Sequence, residues 1–110
     1  MFLLNLKFFF DSVKKELPKT KVFAIGIQPS PSRFDQRSRQ LEWNDSVNNL
    51  SKTDPNLVFV DVSSAMLSSD NEPRLELYTY DTLHMNKEGY KIWTKLVKLH
   101  LKEYFPEDFL

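Results

Sequence analysis

The stretch Lys21–Ile27, KVFAIGI, decides the fold class of this chain. It is short, apolar on both faces and bounded by the polar segments PKT and QPSPSRFD, which is typical of a central strand in a parallel sheet. The run Leu57–Val62, LVFVDV, repeats the pattern. Between the two runs, residues 36–51 carry apolar side chains on one face and predict a helix. Strand, helix and strand in this order predict a right-handed βαβ unit and therefore a parallel sheet.

Two further helices flank this unit. The first is predicted up to Pro18 by apolar residues at spacings of three and four: Phe2, Leu6, Phe9, Phe10, Val13 and Leu17. The last helix is predicted from Lys87 onward and is expected to pack against the sheet. Its apolar face has a main row of Tyr90, Trp93, Val97, Leu101 and Tyr104, which is widened by Ile92, Leu96 and Leu99. The two prolines in QPSPSRFD predict an ordered, extended loop. Residues 63–81 are irregular, with one helical turn expected near Ala65.

Length, charge and cysteine content exclude several classes of function. The 110 residues suffice for one domain, and 15 basic residues balance 15 acidic ones, so no overall field attracts nucleic acid, although local patches remain possible. The absence of cysteine excludes disulfides, thiolate metal sites and a cysteine nucleophile. His84 and His100 lie sixteen residues apart and, with the scattered carboxylates, match no ligand spacing, so we predict no metal.

The opening MFLLNLKFFF mimics an export signal only in part. It has no basic n-region, Asn5 and Lys7 interrupt it, and no small-residue cleavage site follows, so we expect no signal peptide in this chain. No apolar run approaches the ~18 residues of a membrane span. The sequence therefore predicts a soluble chain and leaves the compartment open.

The predicted sheet is incomplete. Two parallel strands would leave both edges unpaired, and the apolar faces need more cover than three helices supply. We therefore expect residues 1–110 to be the C-terminal part of a larger α/β domain, or to meet the missing strands in another chain.

The segment Tyr80–Tyr90, YDTLHMNKEGY, carries the strongest candidate for chemistry. In a turn, Asp81 can reach the ring of His84, fix its tautomer and stabilise its protonated form. Asn86 can cap the last helix and so hold the histidine against a rigid element. Taken alone, the local pattern favours a simpler interpretation, in which Asp81, Thr82 and Asn86 only satisfy backbone donors at a helix start.

The block DTLHMNKEGY resembles the last conserved block of the SGNH or GDSL-type serine hydrolases, D-x-x-H-x-N-x-x-G-Y. ELPKTKVFAIGIQPSPSRFD is similar to the strand and Pro-Ser-Pro loop of a bacterial branch of that family, and DPNLVFVDV follows in the same order. The resemblance covers nearly the whole chain. It implies a three-layer α/β/α, flavodoxin-like fold with a parallel sheet of about five strands, of which this chain is an incomplete C-terminal β-α-β-α part.

The resemblance also implies an activity. It points to a carboxylic-ester hydrolase, an esterase or lipase with a Ser-His-Asp triad and no cofactor, whose small-molecule ester substrate is an acyl lipid or an acetylated sugar. Asp81 is then the catalytic orienting acid and His84 the general base. The family's nucleophile lies in an N-terminal Gly-Asp-Ser block, and a glycine and an asparagine from two intermediate blocks help to form the oxyanion hole. None of these blocks maps onto this chain, so residues 1–110 alone are expected to be inactive.

Four other residues are of types found in a hydrolase active site. Ser12 lies inside the first predicted helix and is not expected to be a nucleophile. Asn44 lies in a helical pattern without a preceding glycine, which favours a helix-packing or solvated residue over an oxyanion donor. His100 is expected at the core boundary. Arg33 either meets an anionic group or simply ends a rigid surface loop.

A second hypothesis belongs to a different class. The chain would be a non-catalytic scaffold or interaction module that pairs its open sheet edge with another chain. This hypothesis predicts oligomers.

Overall fold

The computed structural model describes residues 2–109 and the side chains of 5–108, so the side chain of Phe2 lies outside the described residues. The helices and strands are, in chain order, α1 (Phe2–Glu16), β1 (Val22–Ile25), α2 (Arg37–Ser51), β2 (Leu57–Val60) and α3 (Lys87–Tyr104). These bounds confirm the predicted helices and strands to within a few residues. A short 3-10 helix at Ser64–Met66 confirms the predicted helical turn. No helix in the described part of the chain is long and apolar enough to cross a membrane.

The two strands form a small parallel sheet, as predicted. Val22 lies opposite Leu57 and Ile25 lies opposite Val60. All of β2 except the half-buried Phe59 is buried, whereas every residue of β1 is only half-buried. The fold is therefore a mixed α/β arrangement in which β1 has less cover than β2.

A small apolar core lies beneath the segment that carries the candidate motif. Its buried members come from the long connection between β2 and α3: Met66, Leu77, Tyr78 and Met85. Ile92 and Trp93 of α3 pack against them. Burial of this kind contributes roughly 25 cal/mol per Å² of apolar surface. The irregular segment is thereby fixed to α3 on both sides of the motif.

The predicted apolar rows are only partly covered. In α1, Phe10 is 3% exposed but Phe9 is 57% exposed, and Leu17, just after the end of the helix, is also 57% exposed. In α3, Tyr90 and Leu99 are 52% and 53% exposed. The prediction that α3 packs against the sheet is confirmed by its contacts with β2, but two strands offer too little surface to cover all of its apolar side chains.

The proline loop also departs from the prediction. Residues 28–30 have no regular structure, but Pro31–Gln36 forms a 3-10 helix that is kinked at Arg33. Pro31 occupies the start of that helix, where its fixed φ is already helical and its missing N–H is not needed. The fully extended loop is wrong beyond Ser30.

Asn44 ties α2 to the end of the first strand. Its side chain is buried, its Oδ1 accepts the backbone N–H of Ile27 at 2.8 Å, and its Nδ2 donates to the Ile27 carbonyl at 3.3 Å. One amide thus satisfies both backbone groups of a residue just beyond β1, where the ladder has ended. This is the helix-packing role expected from the sequence.

Replacing Asn44 with leucine is expected to lower the free energy of unfolding by about 2–3 kcal/mol, because the Ile27 N–H and carbonyl would lose their partner. Urea unfolding followed by circular dichroism measures the change. Asn49→Leu, at an exposed position of the same helix, is the control and should stay within about 0.5 kcal/mol of the parent. Equal losses in the two variants would contradict the role of Asn44.

Candidate active site

Asp81 and His84 meet in one tight turn. Asp81 Oδ2 lies 2.6 Å from His84 Nδ1. The other carboxylate oxygen, Oδ1, accepts the Thr79 hydroxyl at 2.5 Å and the backbone N–H groups of Leu83 and His84 at 2.9 and 3.0 Å. The structure therefore brings the two sequence-predicted residues together and uses the rest of the turn to orient the carboxylate.

This contact fixes the form of the neutral imidazole. An ionised carboxylate only accepts hydrogen bonds, so the neutral ring of His84 carries its proton on Nδ1 and leaves a lone pair on Nε2. The His84 side chain is 70% exposed. Such a ring can take a proton from a hydroxyl group or a water molecule, with Asp81 stabilising the resulting imidazolium.

The electrostatics of the turn keep Asp81 charged. The Thr79 hydroxyl, then the His84 ring, and then the backbone N–H groups of Leu83 and His84 hold the pKa of the Asp81 carboxyl well below its usual range. Because the folded pKa is depressed, this stabilisation is complete above the unfolded value of about 3.9 and is lost only as the pH falls through the folded one. His84 therefore has an anionic partner at neutral pH.

Replacing Thr79 with valine is expected to raise the pKa of the Asp81 carboxyl towards the ordinary value, because the hydroxyl is the largest single cause of the depression. The titration of the Asp81 carboxylate carbon by NMR measures this shift. Thr20→Val, at an exposed position outside the turn, is the matched control. An unchanged Asp81 titration in Thr79→Val would show that the His84 ring and the backbone donors hold the charge without the hydroxyl.

Two long-range hydrogen bonds hold the proline loop against this turn. Thr82 has a φ of 56°, a left-handed conformation that a β-branched residue adopts only at a cost. Its carbonyl accepts the Ser32 N–H at 3.0 Å, and the Tyr78 hydroxyl donates to the Pro29 carbonyl. Burial raises the pKa of Tyr78 to about 12, so it remains a donor at neutral pH. The loop thus forms a fixed wall beside the turn.

Asn86 holds the other side of the turn, where the chain enters α3. Its Oδ1 accepts the Gly89 N–H at 3.0 Å and so caps α3, as predicted. Its Nδ2 donates to the carbonyls of Glu76 and Tyr78, at 2.7 and 3.2 Å. The helix-cap interpretation and the acid-base interpretation are therefore compatible. The sequence did not predict the hydrogen bonds of Asn86 to residues 76 and 78. It also did not predict the bond from Thr79 to Asp81, although Thr79 is only two positions from the carboxylate.

The remaining candidates do not join the pair. Ser12 is an exposed residue within α1, and the side chain of Asn44 is engaged with Ile27. His100 is half-buried in α3 and its Nδ1 lies 3.0 Å from the Leu96 carbonyl. In the part of the chain that the structure describes, no three His, Asp or Glu side chains are grouped as metal ligands would be.

Comparison with solved structures gives an informative likeness. No family model and no curated protein matches the chain. A solved structure from Streptococcus pneumoniae, named a "putative platelet activating factor", superposes on 90% of this chain with a TM-score of 0.77 and 26% sequence identity. The match covers 50% of that structure, so the chain spans about half of its length.

Proposed function

We propose that this chain is the acid and base part of an SGNH-type carboxylic-ester hydrolase. The observation that carries the proposal is the 2.6 Å contact between Asp81 Oδ2 and His84 Nδ1 on an exposed ring. The likeness to the Streptococcus pneumoniae structure supports an esterase-like hydrolase. Asp81 orients the ring and His84 transfers protons.

The proposed reaction proceeds through an acyl-enzyme. A serine hydroxyl attacks the ester carbonyl while His84 Nε2 takes the serine proton, and Asp81 stabilises the imidazolium. The imidazolium then gives this proton to the departing alkoxide, so that an alcohol leaves. In the second half His84 takes a proton from water, which attacks the acyl carbon and releases the acid. The serine recovers its proton from the ring.

The proposal places the nucleophile and the oxyanion donors outside residues 1–110, in preceding residues of the same domain. Those residues would also add strands to the free edge of β1, whose four residues are only half-buried. The length of the matching Streptococcus pneumoniae structure, twice the matched part, supports such a domain. The complete unit would have the three-layer α/β/α arrangement with this chain as its C-terminal part.

The test starts from the reading frame upstream of the Met1 codon. We expect an in-frame Gly-Asp-Ser block followed by a G-x-N-D block, and we expect the polypeptide that includes both to hydrolyse p-nitrophenyl acetate. A fluorophosphonate probe should label the serine of the upstream block, and residues 1–110 alone should remain unlabelled. Labelling of a serine within residues 1–110, or the absence of hydrolysis from the longer polypeptide, would contradict the proposal.

Two observations favour the second candidate function, an interaction module. Phe8 and Phe9 of α1 are 65% and 57% exposed, and β1 lacks a second neighbour within residues 2–109. Exposed apolar residues and a free strand edge are suited to pairing with another chain. This candidate predicts that residues 1–110 elute as an oligomer in size-exclusion chromatography. A monomer, together with hydrolysis by the longer polypeptide, would reject it.

A further inference from the structure

One face of α3 carries a continuous row of lysines. Lys87, Lys91, Lys95, Lys98 and Lys102 lie at spacings of three and four in the helix, and at 3.6 residues per turn they fall within an arc of about 80°. All five side chains are exposed. This lysine row holds five of the 15 basic residues of a chain whose net charge is zero. One third of the basic residues therefore lies on one face of a single helix.

At Lys87, Lys91, Lys95 and Lys98, acidic neighbours compensate little of this charge. Lys91 Nζ lies 3.2 Å from Glu88 Oε1, but both side chains are more than 60% exposed, and such surface pairs are weak. Among the described residues, no salt bridge forms at Lys87, Lys95 or Lys98. Lys87 also lies in the first turn of α3, where the helix dipole disfavours a cation. The row therefore projects a positive potential into the solvent.

A shallow and open groove lies between the side chains of the row, on the surface of α3 itself. The lysines from position 87 to position 98 line it, together with Tyr90 and Thr94. The row extends over roughly 22 Å at 1.5 Å per residue. Tyr90 on one side and Leu99 on the other are each about half exposed. Cations in one plane with an exposed tyrosine and leucine beside them form a flat, basic and partly apolar surface.

We infer that the lysine row docks the protein on an anionic lipid surface. The opposite face of α3 is occupied, because Ile92 and Trp93 pack against the core, so the helix lies flat on the surface and contacts it through the lysines. Anionic headgroups supply the complementary charge within a Debye length, and tyrosine is enriched at membrane-water interfaces. A single-stranded nucleic acid would need aromatic side chains along its path for stacking, and only Tyr90 lies in this groove.

This inference goes beyond the proposed function and does not depend on it, because vesicle binding requires no ester cleavage. Its relation to the candidate site is geometric. α3 begins three residues after His84, and Asn86, which caps the helix, bonds to the segment before the turn. The row therefore starts beside the turn that carries the candidate base.

The test is co-sedimentation of the full chain with vesicles of phosphatidylcholine alone and of phosphatidylcholine mixed with phosphatidylserine. We expect binding only to the mixed vesicles, tightening as the phosphatidylserine fraction rises and weakening with added salt. The triple variant Lys87→Gln, Lys95→Gln, Lys98→Gln should bind roughly 100-fold more weakly, at about fivefold per lysine. The triple variant Lys15→Gln, Lys19→Gln, Lys52→Gln makes the same charge change at exposed positions outside the row. It should bind much more tightly than the row variant.

Three results would overturn the inference. The first is equal binding of the parent protein to both kinds of vesicle, and the second is an equal loss in the two triple variants. The third is binding of a fluorescent oligonucleotide as tightly as that of the mixed vesicles, which would make the row a general polyanion site. Salt and lipid dependence are measured on the parent protein, so the first test stands even if a variant fails to fold.

Discussion

Replacing His84 with alanine is expected to reduce the kcat of ester hydrolysis by roughly 10⁴- to 10⁶-fold in the polypeptide that carries the upstream serine block. The variant removes the only group in the turn that can take the serine proton at neutral pH, and it leaves Asp81 without the ring that it orients. The exposed position of the side chain means that folding should be unaffected. The assay is p-nitrophenyl acetate hydrolysis, with circular dichroism to compare the folds.

The chain provides its own control, because it has a second histidine. His100 has the same side chain as His84, but its ring contacts the Leu96 carbonyl and not a carboxylate. His100→Ala should therefore keep kcat within a few-fold of the parent. Comparable losses in both variants would point to a structural effect, and an active His84→Ala variant would remove His84 from the mechanism.

Replacing Gly89 with alanine is expected to lower the free energy of unfolding by about 3 kcal/mol. A Cβ at this position would lie 2.4 Å from the Leu77 carbonyl oxygen and 3.0 Å from Met85 Cβ. That carbonyl cannot easily move, because it accepts the Asn86 N–H at 2.9 Å. The overlap should outweigh the gain of about 1 kcal/mol that alanine brings over glycine in a helix.

Urea unfolding measures this effect, with Thr94→Ala as the control on the exposed face of the same helix. The control should be neutral or slightly stabilising, because alanine is the better helix former. A Gly89→Ala variant as stable as the parent would mean that α3 can move away from the Leu77 carbonyl at little cost.

The elements that could be predicted are those set by local pattern. Periodicity located the three helices, and the apolar runs from Lys21 and Leu57 located both strands, because each pattern reflects the geometry of a single element. The contact between Asp81 and His84 follows from the same logic, since three residues in a turn bring the side chains together. The role of this pair in catalysis remains a prediction.

The features that could not be predicted join distant residues. The hydrogen bond from the Tyr78 hydroxyl to the Pro29 carbonyl spans 49 positions, and the bond between Ser32 and Thr82 is of similar range. Nothing in either local sequence indicates the other partner. The exposure of Phe9 has a related cause, because periodicity shows that a helix has an apolar face but not how much surface is available to cover it.

The Asn86 side chain joins α3 and the segment before the turn into one unit. Its amide holds the first turn of the helix at Gly89 and the carbonyls of Glu76 and Tyr78 at once, while Tyr78 in turn holds the proline loop at Pro29. A tilt of α3 would therefore be passed through these hydrogen bonds to the proline loop beside the candidate site. Docking through the lysine row would accordingly set the angle at which the His84 ring meets a molecule in the lipid surface.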